Sequence, residues 1–311
     1  MRKKLFIYLP SFARFEVCLQ QAKRIYEQVS NLNNRSFEIE IHFCISINCD
    51  LTYDQVELSK YANCVINNPI NYGANVNIAL GFIYAKENSS DFLWIIGDDE
   101  PIGHSAVMSI ASIISNTSID LIVGSKKKNG RVLDINSYME LSKLSGGTPS
   151  FISSTVYSCD FSLEIAYEAL RYEFTSFPHL VVINRIFECK DKISVEMIPL
   201  EKICKVDERI YTYPKVTRRN MGARDSTVFF GKPLALMSCR ETAYKKQEIV
   251  GWWLVNWHRV SMYYSKEDYR GKLFIAISLK YRILWPLIAI SILPIWKLKN
   301  LIDWFLNNNR Y

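Results

Sequence analysis

The stretch Phe92-Leu93-Trp94-Ile95-Ile96-Gly97-Asp98-Asp99-Glu100-Pro101 decides how the rest of the chain is read. Five apolar residues in a row are the pattern of a strand buried on both faces, as in a parallel sheet. The run stops abruptly at a glycine, three carboxylates and a proline. Adjacent carboxylates repel, so such a triplet is either a solvated acidic turn or shares a cation. Hard divalent ions suit the second case, because Mg²⁺ and Mn²⁺ take one or two carboxylates and complete their shell with substrate phosphate oxygens.

Upstream, strands and helices alternate. Leu5–Leu9 is a short apolar strand. Residues 14–30 carry Phe15, Cys18, Leu19, Ala22, Ile25, Tyr26 and Val29 at helical spacing. Strands follow at about 38–47 and at Cys64-Val65-Ile66, with Asn67-Asn68-Pro69 as a turn. A helix is expected over 75–87. Beyond the acidic triplet come a helix over about 104–116 and a strand at Leu121-Ile122-Val123. This alternation predicts an α/β fold of right-handed βαβ units around a parallel sheet covered on both faces. Ligands of such sheets bind outside the C-terminal ends of the strands. No G-x-G-x-x-G and no G-x-x-x-x-G-K-[ST] occurs there, which argues against a dinucleotide-binding domain and a P-loop NTPase. After residue 125 the pattern is less regular. Lys126–Arg131 and Ser145–Pro149 read as polar loops, the second a mobile one.

The 311 residues carry a formal charge of +7, and 49% are hydrophobic, which excludes a disordered or collagen-like chain. Charge is uneven. Residues 1–200 have about 18 Lys/Arg against 22 Asp/Glu, and residues 201–311 about 20 against 9. The eight cysteines contain no C-x-x-C pair, and with only four histidines a structural zinc site is not expected. They read as reduced thiols of a cytosolic protein. The N-terminal apolar run is too short for a secretory signal, ending at Pro10 with Arg14 close behind.

Two further loops join the acidic triplet: Pro10-Ser11-Phe12-Ala13-Arg14, and Asn71-Tyr72-Gly73-Ala74-Asn75-Val76-Asn77. In this order and spacing the three resemble the GT-A glycosyltransferases of family 2, over about residues 4–125. The family's P-[ST]-[YF]-N-R start has Ala13 in place of Asn. Its common D-D-G-S run is absent from Ile47-Asn48-Cys49-Asp50. The resemblance implies a GT-A type, Rossmann-like, mostly parallel sheet flanked by helices. It implies that Pro10, Phe12 and Arg14 cradle the base and ribose, with Asn48 or Asp50 completing that wall. Gly73 would let the backbone approach the nucleotide, and Asn77 would hydrogen-bond it. Asp98 or Asp99 would contact ribose and metal, and Glu100 would hold Mn²⁺ or Mg²⁺ on the diphosphate.

The resemblance also places an acceptor side at Gly147–Tyr157. His179, in Thr175-Ser176-Phe177-Pro178-His179-Leu180, stands where many members carry an acidic base. An imidazole titrates near neutrality, so His179 is a candidate base. It is equally a candidate metal ligand, or a packed residue of a helix begun by Pro178. Glu173 and Asp160 are fallback bases. Arg218, Arg219 and Arg224 surround Gly222 in a loop that either closes over the diphosphate or is a basic surface.

Six of the seven tryptophans lie after residue 250. Ile283–Trp296 is uncharged, interrupted by Pro286 and Pro294, and flanked by Lys280, Arg282, Lys297 and Lys299. A spanning helix needs ~20 apolar residues. Trp and Lys at both ends of a shorter run fit an interfacial element on an anionic membrane surface, and not a nucleic-acid stripe. The expected organisation is a glycosyltransferase domain over 1–215, with a nucleotide-sugar half to about 125 and an acceptor half over 126–215. A helical membrane-associating region, basic and aromatic, follows over 216–311. The expected activity is metal-dependent transfer from a nucleoside-diphosphate sugar to a lipid-linked or surface-polysaccharide acceptor, on the cytoplasmic face of the membrane. A nucleotide-sugar pyrophosphorylase and an inactive membrane-associated binding subunit are the alternatives.

Overall fold

The computed structural model describes residues 2–33, 38–50, 52–116, 118–127, 129–172, 177–190 and 192–205. The membrane-associating region and the Arg218, Arg219 and Arg224 loop lie outside the described residues, as does Glu173.

The described chain runs β1 (Lys3–Ser11), α1 (Phe15–Asn33), β2 (Ile39–Ile47), α2 (Gln55–Ser59), β3 (Cys64–Asn67), α3 (Ala74–Glu87), β4 (Phe92–Ile95) and α4 (Ala106–Asn116). It continues with β5 (Leu121–Ser125), β6 (Gly130–Ile135), α5 (Tyr138–Ser145), two 3₁₀ turns at Thr148–Ser150 and Ile152–Ser154, and β7 (Thr155–Ser158). The last elements are α6 (Leu163–Arg171), α7 (Pro178–Cys189), β8 (Ile193–Pro199) and α8 (Leu200–Ile203). All eight strands form one sheet in the order β3-β2-β1-β4-β7-β5-β8-β6. The sheet is α/β and mostly parallel, but β7 runs antiparallel to both β4 and β5, and β6 antiparallel to β8. This is the mostly parallel, helix-flanked sheet that the sequence predicts, with the antiparallel strands falling after residue 125.

The centre of the sheet explains the apolar runs. Leu5, Ile7 and Leu9 of β1 join the core beneath α1 and α4, together with Trp94 and Ile96. On the other face, the ring of Tyr8 and the side chain of Ile95 press on α3 at Gly81, where an added Cβ would stand 2.7 Å from Tyr8 Cδ1. Both faces being covered, no alternation is left in these strands.

Two polar stretches prove structured. The presumed loop over 126–131 gives way to β6 at Gly130. Ser145–Pro149, read as mobile, is packed: Gly146 and Gly147 take left-handed conformations at φ 79° and 81°, and Thr148 and Pro149 are buried. The seven described cysteines are free thiols, with Cys49 and Cys189 exposed.

Candidate active site

Every loop that the motifs single out, up to residue 100, opens on one edge of the sheet, at the C-terminal ends of β1, β2, β3 and β4. The crossing strand β7 brings a further segment there, because its antiparallel direction puts Thr155 near the end of β4 and Ser158 near its start. The 3₁₀ turn before β7 therefore lies against the acidic loop.

That contact is made mainly through Ser153. Its carbonyl accepts from Trp94 Nε1 at 2.8 Å, and its hydroxyl accepts from the Gly97 amide at 2.8 Å. Its own amide points to Glu100 Oε2 at 3.4 Å. From the other side, Gln21 Nε2 donates to the Glu100 carbonyl at 2.7 Å, and Gln28 Nε2 to the Gly103 carbonyl at 2.7 Å. Gly103 is pressed so closely against α8 that an added Cβ would lie 2.5 Å from the Glu201 carbonyl oxygen. Three like charges repel, so the acidic loop is held by backbone and amide bonds from α1, α8 and the 3₁₀ turn.

The carboxylates differ in setting. Asp98 is 2% exposed and Glu100 is 4% exposed, while Asp99 is half-buried. Arg14 bridges the first two, donating Nη2 to Asp98 and Nη1 to Asp99 Oδ2 at 3.1 Å. Ser11 Oγ donates to the second oxygen of Asp98 at 2.5 Å. A directed chain stands behind it. The Arg14 amide, which can only donate, gives its hydrogen to Tyr53 Oη at 2.9 Å. Since the hydroxyl hydrogen of Ser11 goes to Asp98, Tyr53 must donate to Ser11 Oγ, at 2.7 Å. Burial pushes the Asp98 carboxyl up to about 6, against the opposing pull of Arg14 and Ser11. Burial likewise pushes the Tyr53 phenol up to about 12, so it stays a neutral donor.

The motif residues fall into two sets. On the open side, Phe12 is 43% exposed, Tyr72 is 37% exposed, and Gly73 holds φ 84° at the start of α3. Pro10 is half-buried, paired with Ser46 of β2. Asp50 caps the turn at Thr52, whose hydroxyl holds its carboxyl below the ordinary value, assisted by backbone bonds from Thr52 and Ala13. On the inner side, Asn48 is 1% exposed and donates to Asn71 Oδ1 at 2.9 Å, while its own Oδ1 accepts from the Tyr72 amide at 3.2 Å. Asn77 is 2% exposed; its Oδ1 accepts from Tyr8 Oη at 2.8 Å and Ser46 Oγ at 2.7 Å, and its Nδ2 donates to the Ser46 carbonyl. Asn77 thus ties α3 to β1 and β2 beneath the site instead of facing out of it. His179 lies in the first turn of α7, 3% exposed, its ring 5.8 Å from that of Phe177. The fallback base Asp160 is misplaced for the role: it follows β7 at the opposite edge of the sheet, where Lys190 Nζ pairs with it at 2.8 Å.

Ser11, Gln21, Asn71, Tyr53 and Ser153 carry much of the geometry without having stood out as functional in the sequence. Gln21 had a signal: a polar residue bordering the apolar stripe of α1, three residues after Cys18. Ser153 stood only as one residue of the Gly147–Tyr157 segment and Tyr53 had no signal, because their partners lie 56 and 42 residues away. Among the described residues, no three His, Cys, Asp or Glu side chains are grouped to hold a metal by themselves. The loop offers carboxylate oxygens only, the donor chemistry of Mg²⁺ or Mn²⁺, and it already attracts one cationic group, the Arg14 guanidinium.

No protein-family model matches the chain, and no curated protein matches it in sequence. Solved structures do match. S. aureus TarS 1–349, crystallised with UDP-GlcNAc, superposes with a TM-score of 0.52 over 89% of this chain and 80% of its own, at 12% identity. The mannosyltransferase PcManGT from Pyrobaculum calidifontis, with GDP-Man and Mn²⁺, superposes with a TM-score of 0.50 over 97% and 88%, at 9% identity. The chain has a GT-A fold. Within the GT-A fold of this chain, the acidic loop stands at the end of the fourth strand, and the Asn48–Asn71 pair at the ends of β2 and β3.

Proposed function

We propose that the chain is a glycosyltransferase that takes a sugar from a nucleoside-diphosphate donor and passes it, with inversion, to a lipid-linked or surface-polysaccharide acceptor. The observation that carries this reading is the acidic loop Asp98-Asp99-Glu100, held rigid at the C-terminal edge of a GT-A sheet and already neutralised in part by Arg14. Two proteins of similar fold have solved structures in complex with UDP-GlcNAc and with GDP-Man and Mn²⁺.

Phe12, Tyr72 and the Gly73 backbone would receive the nucleoside, with Pro10, Asn48 and Asp50 shaping the wall behind them. Asp98, Asp99 and Glu100 would hold Mn²⁺ or Mg²⁺. When bound, that ion neutralises charge on the leaving diphosphate. Arg14 would then exchange a carboxylate partner for a phosphate oxygen, since its guanidinium fits either bidentately. An acceptor hydroxyl attacks the anomeric carbon, the bond to the diphosphate oxygen breaks, and the hydroxyl proton passes to a base. His179 is the proposed base, and its burial sets a requirement: the first turn of α7 must open to the acceptor. Arg218, Arg219 and Arg224 are proposed to close over the diphosphate.

We place residues 1–215 in the catalytic domain and 216–311 in a region lying on the anionic inner face of the cell membrane. Among the described residues, no helix is long and apolar enough to cross a membrane. The test is release of nucleoside diphosphate from UDP- and GDP-sugars in the presence of Mn²⁺. Release that disappears in Glu100→Gln supports the reading. No release from any donor, with water or a polysaccharide acceptor, refutes it.

A further inference from the structure

The two polar stretches around 126 and 146 pack into one corner. β5 ends at Ser125 on the same edge as the acidic loop, and β7 lies between β5 and β4. At ~4.8 Å per strand, the two strand ends stand about 10 Å apart. Lys126 and Lys127 follow β5, and both are exposed. Their backbone is fixed: the Lys126 amide donates to the Ser145 carbonyl at 3.0 Å, and the Lys127 amide to Ser125 Oγ at 3.1 Å. Gly146 completes the corner. A Cβ there would stand 3.3 Å from Lys127 Cγ, and its φ of 79° already favours glycine. Lys126 Nζ sits 5.8 Å from the centre of the Phe151 ring, two residues before the serine that clamps the acidic loop.

Three other lysines of the described chain pair with carboxylates: Lys190 with Asp120 and Asp160, Lys60 with Glu57, and Lys4 with Glu40. Among the described residues, Lys126 and Lys127 have no carboxylate within ion-pair distance. Two neighbouring lysines on a turn whose backbone is fixed put two positive charges at one place on this edge, which favours an anion there. The edge therefore carries carboxylates at β4 and two lysines at β5, with Gly147–Ser154 between them.

We propose that Lys126 and Lys127 form a phosphate-binding corner on the acceptor side of the site. The phosphate comes either from the acceptor, as a phosphomonoester or phosphodiester, or from the donor diphosphate. The ~10 Å offset from the acidic loop favours the acceptor. This assignment of source rests on the donor-site reading above, whereas the binding of phosphate does not.

The test uses the full chain, its Lys126→Gln/Lys127→Gln variant and a Lys60→Gln control. Hexyl phosphate is titrated calorimetrically, alone and with a saturating nucleoside diphosphate and Mg²⁺. At least tenfold weaker hexyl phosphate binding in the double variant, with nucleotide affinity unchanged, supports the proposal and assigns the phosphate to the acceptor. At least tenfold weaker nucleotide binding, with hexyl phosphate competing for the site, supports it and assigns the phosphate to the donor. If both affinities stay within twofold of wild type, or hexyl phosphate does not bind and nucleotide affinity is unmoved, the proposal is overturned. A wild type that binds hexyl phosphate at least tenfold more tightly than the double variant but binds no nucleoside diphosphate supports the corner and removes the donor-site reading.

Discussion

Burial of the Asp98 carboxylate should cost the apoprotein stability at neutral pH, and the cost should be readable as a pH slope. In the folded chain its pKa is about 6, raised from the ordinary 3.8 mainly by burial. The folded state therefore holds the proton more tightly than the unfolded state. The resulting stabilisation is fully present below about pH 3.8 and is lost as pH rises through about 6. At ~1.4 kcal/mol per pH unit, the loss is roughly 3 kcal/mol. For a domain of this size that is a fall in Tm of about 6–12 °C. Many other groups titrate in this window, so the informative quantity is a difference. Asp98→Asn removes the titration and leaves Arg14 its bond to Asp99. Wild type and Asp98→Asn are melted without metal or nucleotide at half-unit steps from pH 4.5 to 8. The variant should gain on wild type as pH rises, the gap changing by several degrees across pH 5–7. Parallel curves, or a wild type that gains on the variant with rising pH, would refute the account of Asp98 as a carboxylate ionised at a cost beneath Arg14 and Ser11.

Ser153→Ala keeps the backbone bonds to Trp94 and Glu100 but leaves the Gly97 amide without its acceptor. The expected loss is about 1–3 kcal/mol in urea unfolding. Gly103→Ala puts a Cβ against the Glu201 carbonyl oxygen, a backbone atom that cannot swing away. It should destabilise by about 2 kcal/mol or more in the same assay, whereas Gly130→Ala meets no neighbour and suffers only its φ of 97°. Tyr53→Phe removes the acceptor of the Arg14 amide and the donor to Ser11, and should lower stability by about 1–2 kcal/mol. His179→Ala should lower turnover at least tenfold with nucleotide affinity little changed, read by steady-state kinetics beside nucleotide titration.

The strands legible in the sequence are those buried on both faces. Phe92–Ile95 and Leu5–Leu9 announce themselves because no polar residue can stand in them. β7 and β6 were hidden for opposite reasons. Thr155–Ser158 is four residues long and follows a serine-rich stretch, and β6, holding the end of the sheet, carries Arg131 and Asp134. The acidic loop was visible as a cluster, but its cationic partner was not: Arg14 and Asp98 are 84 residues apart. Asn77 misled because a polar residue near a helix start suits either a ligand or a buried tie. Only the packing of α3, with Gly81 one turn further on against Tyr8, separates the two.

The central claim is that the edge carrying Asp98, Asp99 and Glu100 binds a nucleoside diphosphate with a divalent cation. A thermal-shift panel of UDP, GDP, CDP and dTDP, each with and without Mn²⁺, tests it directly on wild type, Asp99→Ala and Glu100→Ala. At least one nucleotide should raise the Tm of wild type by several degrees only when Mn²⁺ is present, and both variants should lose the shift. No shift with any nucleotide, or a shift that survives both substitutions, would contradict it.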